Sequence, residues 1–264
     1  MKLVENGGCG AYFSVCEQPD IEPDAKRALL GNFIVKMKKL IIILLAFMAV
    51  ACGEKPIENA EVKLTTTMGD ITVRLSDLTP GHRDNFLQLT EEGYFDGLLF
   101  HRVIGDFMIQ GGDPRTRDIK GSEFDANGEE TGNPRYWEKI PAEINFPQLY
   151  HRRGALAAAR EGDFVNPERK SSRTQFYIVW GRTFDAEQLA RMEQRLAMQG
   201  ITLPDNVREA YMNEGGTPHL DGQYTVFGEV IEGLEIVDKI QSVITDDMDR
   251  PVEDVRILKA ERVK

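Results

Sequence analysis

The stretch FHRVIGDFMIQGGDP, Phe100 to Pro114, decides how the rest of the chain is read. Phe100–Ile104 and Phe107–Gln110 are short runs rich in strand-forming residues, and Gly105-Asp106 between them is turn-like, so the segment reads as strand, turn, strand. Gly111 and Gly112 then allow the backbone to turn tightly. Within this apolar setting stands Arg102. A guanidinium beside Phe and Met side chains is costly unless its fork of donors is used. Alternation along the strand sends His101 and Arg102 to opposite faces, so Arg102 is expected to face a groove, with His101 as a structural residue behind it.

Working outward, the flanking sequence is mostly short strands. EVKLTTTMGDITVRLS alternates apolar residues on both sides of a turn-like TMGD, as a hairpin does. TPGHRDNFLQLTEEGYFDG has Thr79 in position to cap, Pro80 at the first helical position, an apolar face at Phe86, Leu87 and Leu89, and Gly93 to end the helix. LLFHRVI, DFMIQGG, GALAAAR, TQFYIVW and QYTVFGEV follow as strand-like runs. GLEIVDKI then reads as a second helix and VEDVRILKAERV as a closing strand. The pattern predicts a mostly β domain, a closed β-barrel capped by two helices. Two segments exceed it. Residues 115–150 are rich in Gly, Asn, Pro and charge. Residues 184–216 carry helical spacing at Leu189, Met192 and Leu196 and again at Val207, Ala210 and Tyr211, which predicts an inserted helical hairpin, read as a surface decoration with a rim element shaping the binding groove as the alternative.

Composition sets the outer limits. The chain has 264 residues, 41% apolar and 28% charged, with a net charge of −11. That supports a core and argues against disorder. No basic cluster suited to a phosphate backbone is present, so nucleic acid is not an expected partner. The cysteines are Cys9, Cys16 and Cys52, all near the start, so the predicted domain uses no disulfide and no Cys-ligated zinc. His82, His101, His151 and His219 show no metal-ligand spacing. No metal is expected.

The amino-terminal part reads as an address. In residues 37–52, MKKLIIILLAFMAVAC, two lysines precede an apolar run from Leu40 to Val50, with Ala49 and Ala51 leading to Cys52. This is the layout of a secretory signal, too short to favour a membrane span. With a cysteine at the cleavage point and the polar GEKPIENAE after it, the segment resembles a bacterial lipoprotein signal. That resemblance implies lipidation at Cys52, export, and anchoring to a bacterial membrane, although Ala49 stands where such signals usually have leucine; a cleaved soluble product or an uncleaved anchor is the alternative. Residues 1–36 are an unexplained extension that fits a start of translation at Met37, residues 53–60 are a linker, and residues 61–264 form the domain.

Taken in order, NFLQLTEEGYFDGLLFHRVIGDFMIQGGDP, GALAAAR, SSRTQFYIVW and HLDGQYTVFGEVIEGLEIVDKI resemble the cyclophilin family of peptidyl-prolyl cis-trans isomerases. The resemblance spans most of residues 61–263 and implies an eight-stranded antiparallel barrel with two helices and an activity without cofactor. By position it implies that Arg102 is the catalytic arginine and Gln110 the positioning glutamine. Phe107 and Met108 match the proline-pocket wall, and Ala159 and Arg160 an alanine-asparagine pair on the substrate backbone. Gln175 and Tyr177 match a second glutamine and a pocket phenylalanine; Leu220 and Tyr224 match a pocket leucine and a histidine. His219 stands where many members have tryptophan, which implies weak cyclosporin binding. Ile104-Gly105-Asp106 replaces a commoner proline-glycine turn.

These residue types suit the reaction the resemblance implies. Rotation about an X–Pro amide faces a barrier of roughly 18–20 kcal/mol because it breaks amide resonance. No bond is made or cut. Twisting returns a lone pair to the proline nitrogen, so a donor placed there acts mainly on the twisted state, while an apolar slot holds the ring. The expected partners are proline-containing polypeptides, with a monomer as the expected state. A rival reading keeps the groove but drops turnover, making the domain a proline-peptide binding module or an envelope scaffold.

Overall fold

The computed structural model describes residues 58–116 and 134–264. The expectations for residues 1–36, for the signal at 37–52 with Cys52, for the linker as far as 57 and for 117–133 of the Gly-rich excursion lie outside the described residues.

The first hairpin forms as its alternation dictates. Strands β1 (Glu61–Thr66) and β2 (Gly69–Leu75) pair antiparallel from Glu61↔Arg74 to Thr66↔Gly69, burying Val62, Leu64, Ile71, Val73 and Leu75. Further along come β3 (Phe100–Ile104), β4 (Met108–Gly111), β6 (Ala155–Ala158), β8 (Phe176–Val179), β9 (Val226–Glu232) and β10 (Ile257–Arg262). These eight strands make one sheet in the order β10-β1-β2-β9-β6-β8-β4-β3. Every pairing in it is antiparallel. The short strands β5 (Lys139–Ile140) and β7 (Ser171–Ser172) pair separately and tie the end of the long excursion to the loop before β8.

The sheet curls until its end strands approach, but it is not joined there by a ladder. The expected closed barrel is met by a single bridge, Leu99↔Arg256. Hydrogen bonds from Gly97 to Ile257 and from Phe100 to Val255 flank it. The reason is local: the N–H of Val103, midway along β3, donates to the carbonyl of Asp249, so a loop rather than β10 occupies that edge.

The concave face is filled by Val103, Ile109, Leu156, Phe176, Ile178 and Phe227 together with the helices. Helix α1 (Pro80–Glu91) closes one end with Phe86, which meets Phe95 at 4.8 Å and Phe176 at 5.4 Å between ring centroids. Its expected Thr79 side-chain cap is absent. Instead the carboxylate of Glu143 accepts from the N–H groups of Gly81 and His82 at 3.0 and 2.9 Å, a cap supplied from a distant loop.

The insert is the predicted helical hairpin. Helix α2 (Ala186–Ala197) begins with a capping box between Asp185 and Gln188, and α3 (Asp205–Asn213) follows. Phe184, Leu189, Leu196, Leu203, Val207 and Tyr211 give the hairpin a small core of its own. Helix α4 (Leu234–Gln241) seals the other end of the sheet through Ile236, Val237 and Ile240. It starts at Gly233, whose φ of 85° and closeness to the Asp70 carbonyl leave no room for a side chain.

Candidate active site

The convex face of the sheet carries the site, and strand register assembles it. Arg102 on β3 is opposite Gln110 on β4, and Gln110 is opposite Tyr177 on β8. Tyr177 is opposite Ala157 on β6, and Ala157 is opposite Val226 on β9. Cross-strand partners share a face, so one row crosses five strands. A register shift between Phe100 and Arg102 makes this possible. It lets Phe100 and Val103 both turn inward while Arg102 turns out.

Around the row lies a cavity of about 250 Å³. It is lined by Arg102, Phe107, Met108, Gln110, Ala159, Arg160, Tyr177, Leu220 and Tyr224. Met108, Tyr177 and Val226 pack as a cluster on this outer face, separate from the interior core, with Phe107, Leu220 and Tyr224 against it. The slot is therefore apolar on most sides. Arg102 stands at its edge with 43% of its side chain exposed.

The polar groups are braced in ways the sequence does not show. Gln110 Nε2 donates to Gln175 Oε1 at 3.0 Å. Arg102 Nε donates to Asp249 Oδ2 at 3.3 Å, so a carboxylate from the loop after α4, rather than Gln110, holds the guanidinium. Arg160 is turned inward: Nε donates to the Gln223 carbonyl at 2.9 Å, Nη1 to the Glu161 carbonyl at 2.8 Å, and the guanidinium lies 4.3 Å over the Tyr224 ring. It thus stiffens the Tyr224 wall. The N–H of Ala159 is engaged with the Gln175 carbonyl at 3.0 Å, so Ala159 offers the groove its methyl group rather than its main-chain donor.

Behind the wall runs a buried network unforeseen from sequence. Tyr177 Oη and His151 Nε2 are 2.9 Å apart, and His151 Nδ1 lies 2.9 Å from Asp221 Oδ1. Asp221 also accepts from the His151 main chain at 2.9 Å and from Tyr211 Oη at 2.7 Å. Burial pushes the Tyr177 phenol well above its ordinary range, so it keeps its proton to donate. In a neutral imidazole, Nε2 then accepts and Nδ1–H serves Asp221. Residues 70 apart in sequence meet here, and no spacing signal links them.

Two expected site residues fall outside the main cavity. Gln175 lines an adjoining one of about 430 Å³ that shares Gln110, Ala159 and Arg160. His219 is exposed and stacks on Phe107 with ring centroids 5.6 Å apart. His101 is half-buried with its Nδ1 unpaired among the described residues, and burial lowers its pKa. Among the described residues no cluster suited to a metal ion occurs, and no helix is long and apolar enough to cross a membrane.

Comparison with known proteins agrees with this geometry. The family model described as cyclophilin type peptidyl-prolyl cis-trans isomerase matches residues 61–262. A putative peptidyl-prolyl cis-trans isomerase of Staphylococcus haemolyticus is 33% identical over 208 residues, covering 77% of this chain and 92% of that protein. A putative bifunctional phosphatase/peptidyl-prolyl cis-trans isomerase of Streptococcus pyogenes is 36% identical over 200 residues, 75% of this chain but 37% of the longer protein. Among solved structures, a cyclophilin type isomerase of Cryptosporidium parvum superposes with a TM-score of 0.52 at 25% identity, covering 78% of this chain and 98% of that one.

Proposed function

The chain belongs to the cyclophilin-type peptidyl-prolyl cis-trans isomerases, and from that premise we propose how its groove turns an X–Pro bond and where it does so. The proline ring sits in the slot formed by Phe107, Met108, Tyr177 and Leu220. Arg102, at the slot's edge, donates to the imide nitrogen once rotation has made that atom pyramidal. The planar imide accepts poorly, so the bond forms chiefly in the twisted state and lowers the barrier. A preorganised donor of this kind is worth roughly 2.7–4 kcal/mol. Gln110, held by Gln175, fixes a main-chain group of the peptide beside the ring. The carrying observation is the register row that seats Arg102 and Gln110 opposite one another above an apolar slot.

In a protease-coupled assay on a proline peptide, Arg102→Ala is expected to lower kcat/KM by about 10²–10³-fold. Equal rates for the two proteins would instead favour a binding module.

The clients are read as proline-containing polypeptides folding outside the cytoplasm. The support is the signal-like segment ending at Cys52, which would attach the domain to a bacterial membrane as a lipid-anchored monomer. Mass spectrometry of the mature protein tests this, since an intact peptide containing Cys9 and Cys16 would overturn it. The Leu99↔Arg256 bridge also supports reading the curled sheet as a barrel closed at that seam.

A further inference from the structure

The helical insert is built into the wall of the groove. Beyond Phe107 a second cavity of about 350 Å³ opens, lined by Ile104, Phe184, Met192, Thr217 and His219 with Arg182 and Asp106 at its polar side. Phe107 lines both cavities, so a chain leaving the first runs directly onto the second. Two of the apolar walls, Phe184 and Met192, come from the insert. Thr217, only 2% exposed, carries a buried hydroxyl without a hydrogen-bond partner among the described residues.

The position of this wall is also fixed relative to the slot. Tyr211 on α3 donates to Asp221, Asp221 holds His151, and His151 holds Tyr177 at the back of the slot. Tyr211 packs edge-on against Phe184, with ring centroids 6.3 Å apart. A surface decoration needs no such buried polar bracing to the reaction site.

We propose that this cavity is an accessory subsite that takes an apolar or aromatic client side chain flanking the proline. The inference rests on the isomerase reading only for the place of the proline. A partly open apolar site of this kind is worth about tenfold in discrimination.

The test uses the full chain and short single-proline peptides in an alanine background, with Phe scanned through the positions next to the proline. Calorimetry gives Kd, and exchange NMR gives the isomerisation rate. At one position Phe is expected to bind about tenfold tighter than Ala. Met192→Gln, similar in length but polar, should remove most of that advantage, while Met192→Leu should keep it. Absence of any Phe advantage, its survival in Met192→Gln, or its equal loss in both variants overturns the subsite. Absent turnover with the Phe advantage intact would overturn the isomerase reading and leave the subsite standing.

Discussion

Arg102 and Asp249 form an ion pair at 3.3 Å across the rim of the groove, each side chain 43% exposed. Asp249 holds a left-handed backbone conformation, φ 63°, which is uncommon for a residue with a side chain. Its carbonyl meanwhile accepts from Val103 on β3. The loop is thus pinned to the strand that carries Arg102. A half-exposed pair contributes at most about 1 kcal/mol, so its role is to aim the guanidinium rather than to stabilise the fold. Asp249→Asn is expected to lower kcat by less than about fivefold with KM nearly unchanged, whereas Arg102→Lys, which lacks the planar fork, should approach the alanine variant. A KM effect without a kcat effect in Asp249→Asn would contradict this.

Tyr177 offers a separate test, because its ring and its hydroxyl do different things. The ring lines the slot, and the hydroxyl serves His151. Tyr177→Phe keeps the wall but leaves His151 Nε2 buried and unpaired, at a cost of about 1–3 kcal/mol. Chemical denaturation should show that loss while kcat/KM stays within about threefold, since the reaction transfers no proton to the ring. A large drop in kcat/KM at unchanged stability would show that the hydroxyl faces the client.

The ordered sequence blocks made the slot legible because its residues sit on strands whose alternation is visible. Met108, Ile109 and Gln110 already imply alternate faces, and the structure sends Ile109 inward and the other two outward. The register shift before Arg102 was not legible, since a bulge leaves no composition mark. The same holds for contacts that depend on distant loops: Glu143 capping α1, Asp249 holding Arg102, and Asp221 joining Tyr211 to His151. Helical spacing at Leu189, Met192 and Leu196 foretold the insert, but not that Met192 would line a cavity beside Phe107.

His219 stacks on Phe107 with one ring face and leaves the rest exposed. Its imidazole covers less apolar surface than the indole many family members carry there, which accounts for the expected weak cyclosporin binding. His219→Trp enlarges the aromatic wall without touching Arg102. Inhibition by cyclosporin should strengthen by at least about tenfold while uninhibited turnover changes little. Tight inhibition of the unaltered protein would contradict the reading.

Stability should decline on mild acidification, and His82 sets the sign. Burial lowers the pKa of His82, outweighing the Glu143 carboxylate at 2.6 Å from Nδ1, which pulls it up. Nε2 is buried without a partner among the described residues, so a second ring proton would have nowhere to bond. Burial lowers His101 as well. A histidine with a depressed folded pKa takes up its proton first in the unfolded chain. Its stability contribution is therefore complete above the unfolded value of about 6.5 and is lost as pH falls below it. Burial pushes Glu143 up, but hydrogen bonds from the His82 ring and from the N–H groups of Gly81 and His82 outweigh it, and its pKa is lowered. That contribution is lost at still lower pH, as the carboxylate protonates. The melting temperature should be level from about pH 7 to 8.5 and fall steadily below about 6.5, with a shallower fall in His82→Gln measured against its own plateau. A melting temperature that rises between pH 7 and 5.5 would contradict the assignment of His82 as a neutral, buried ring.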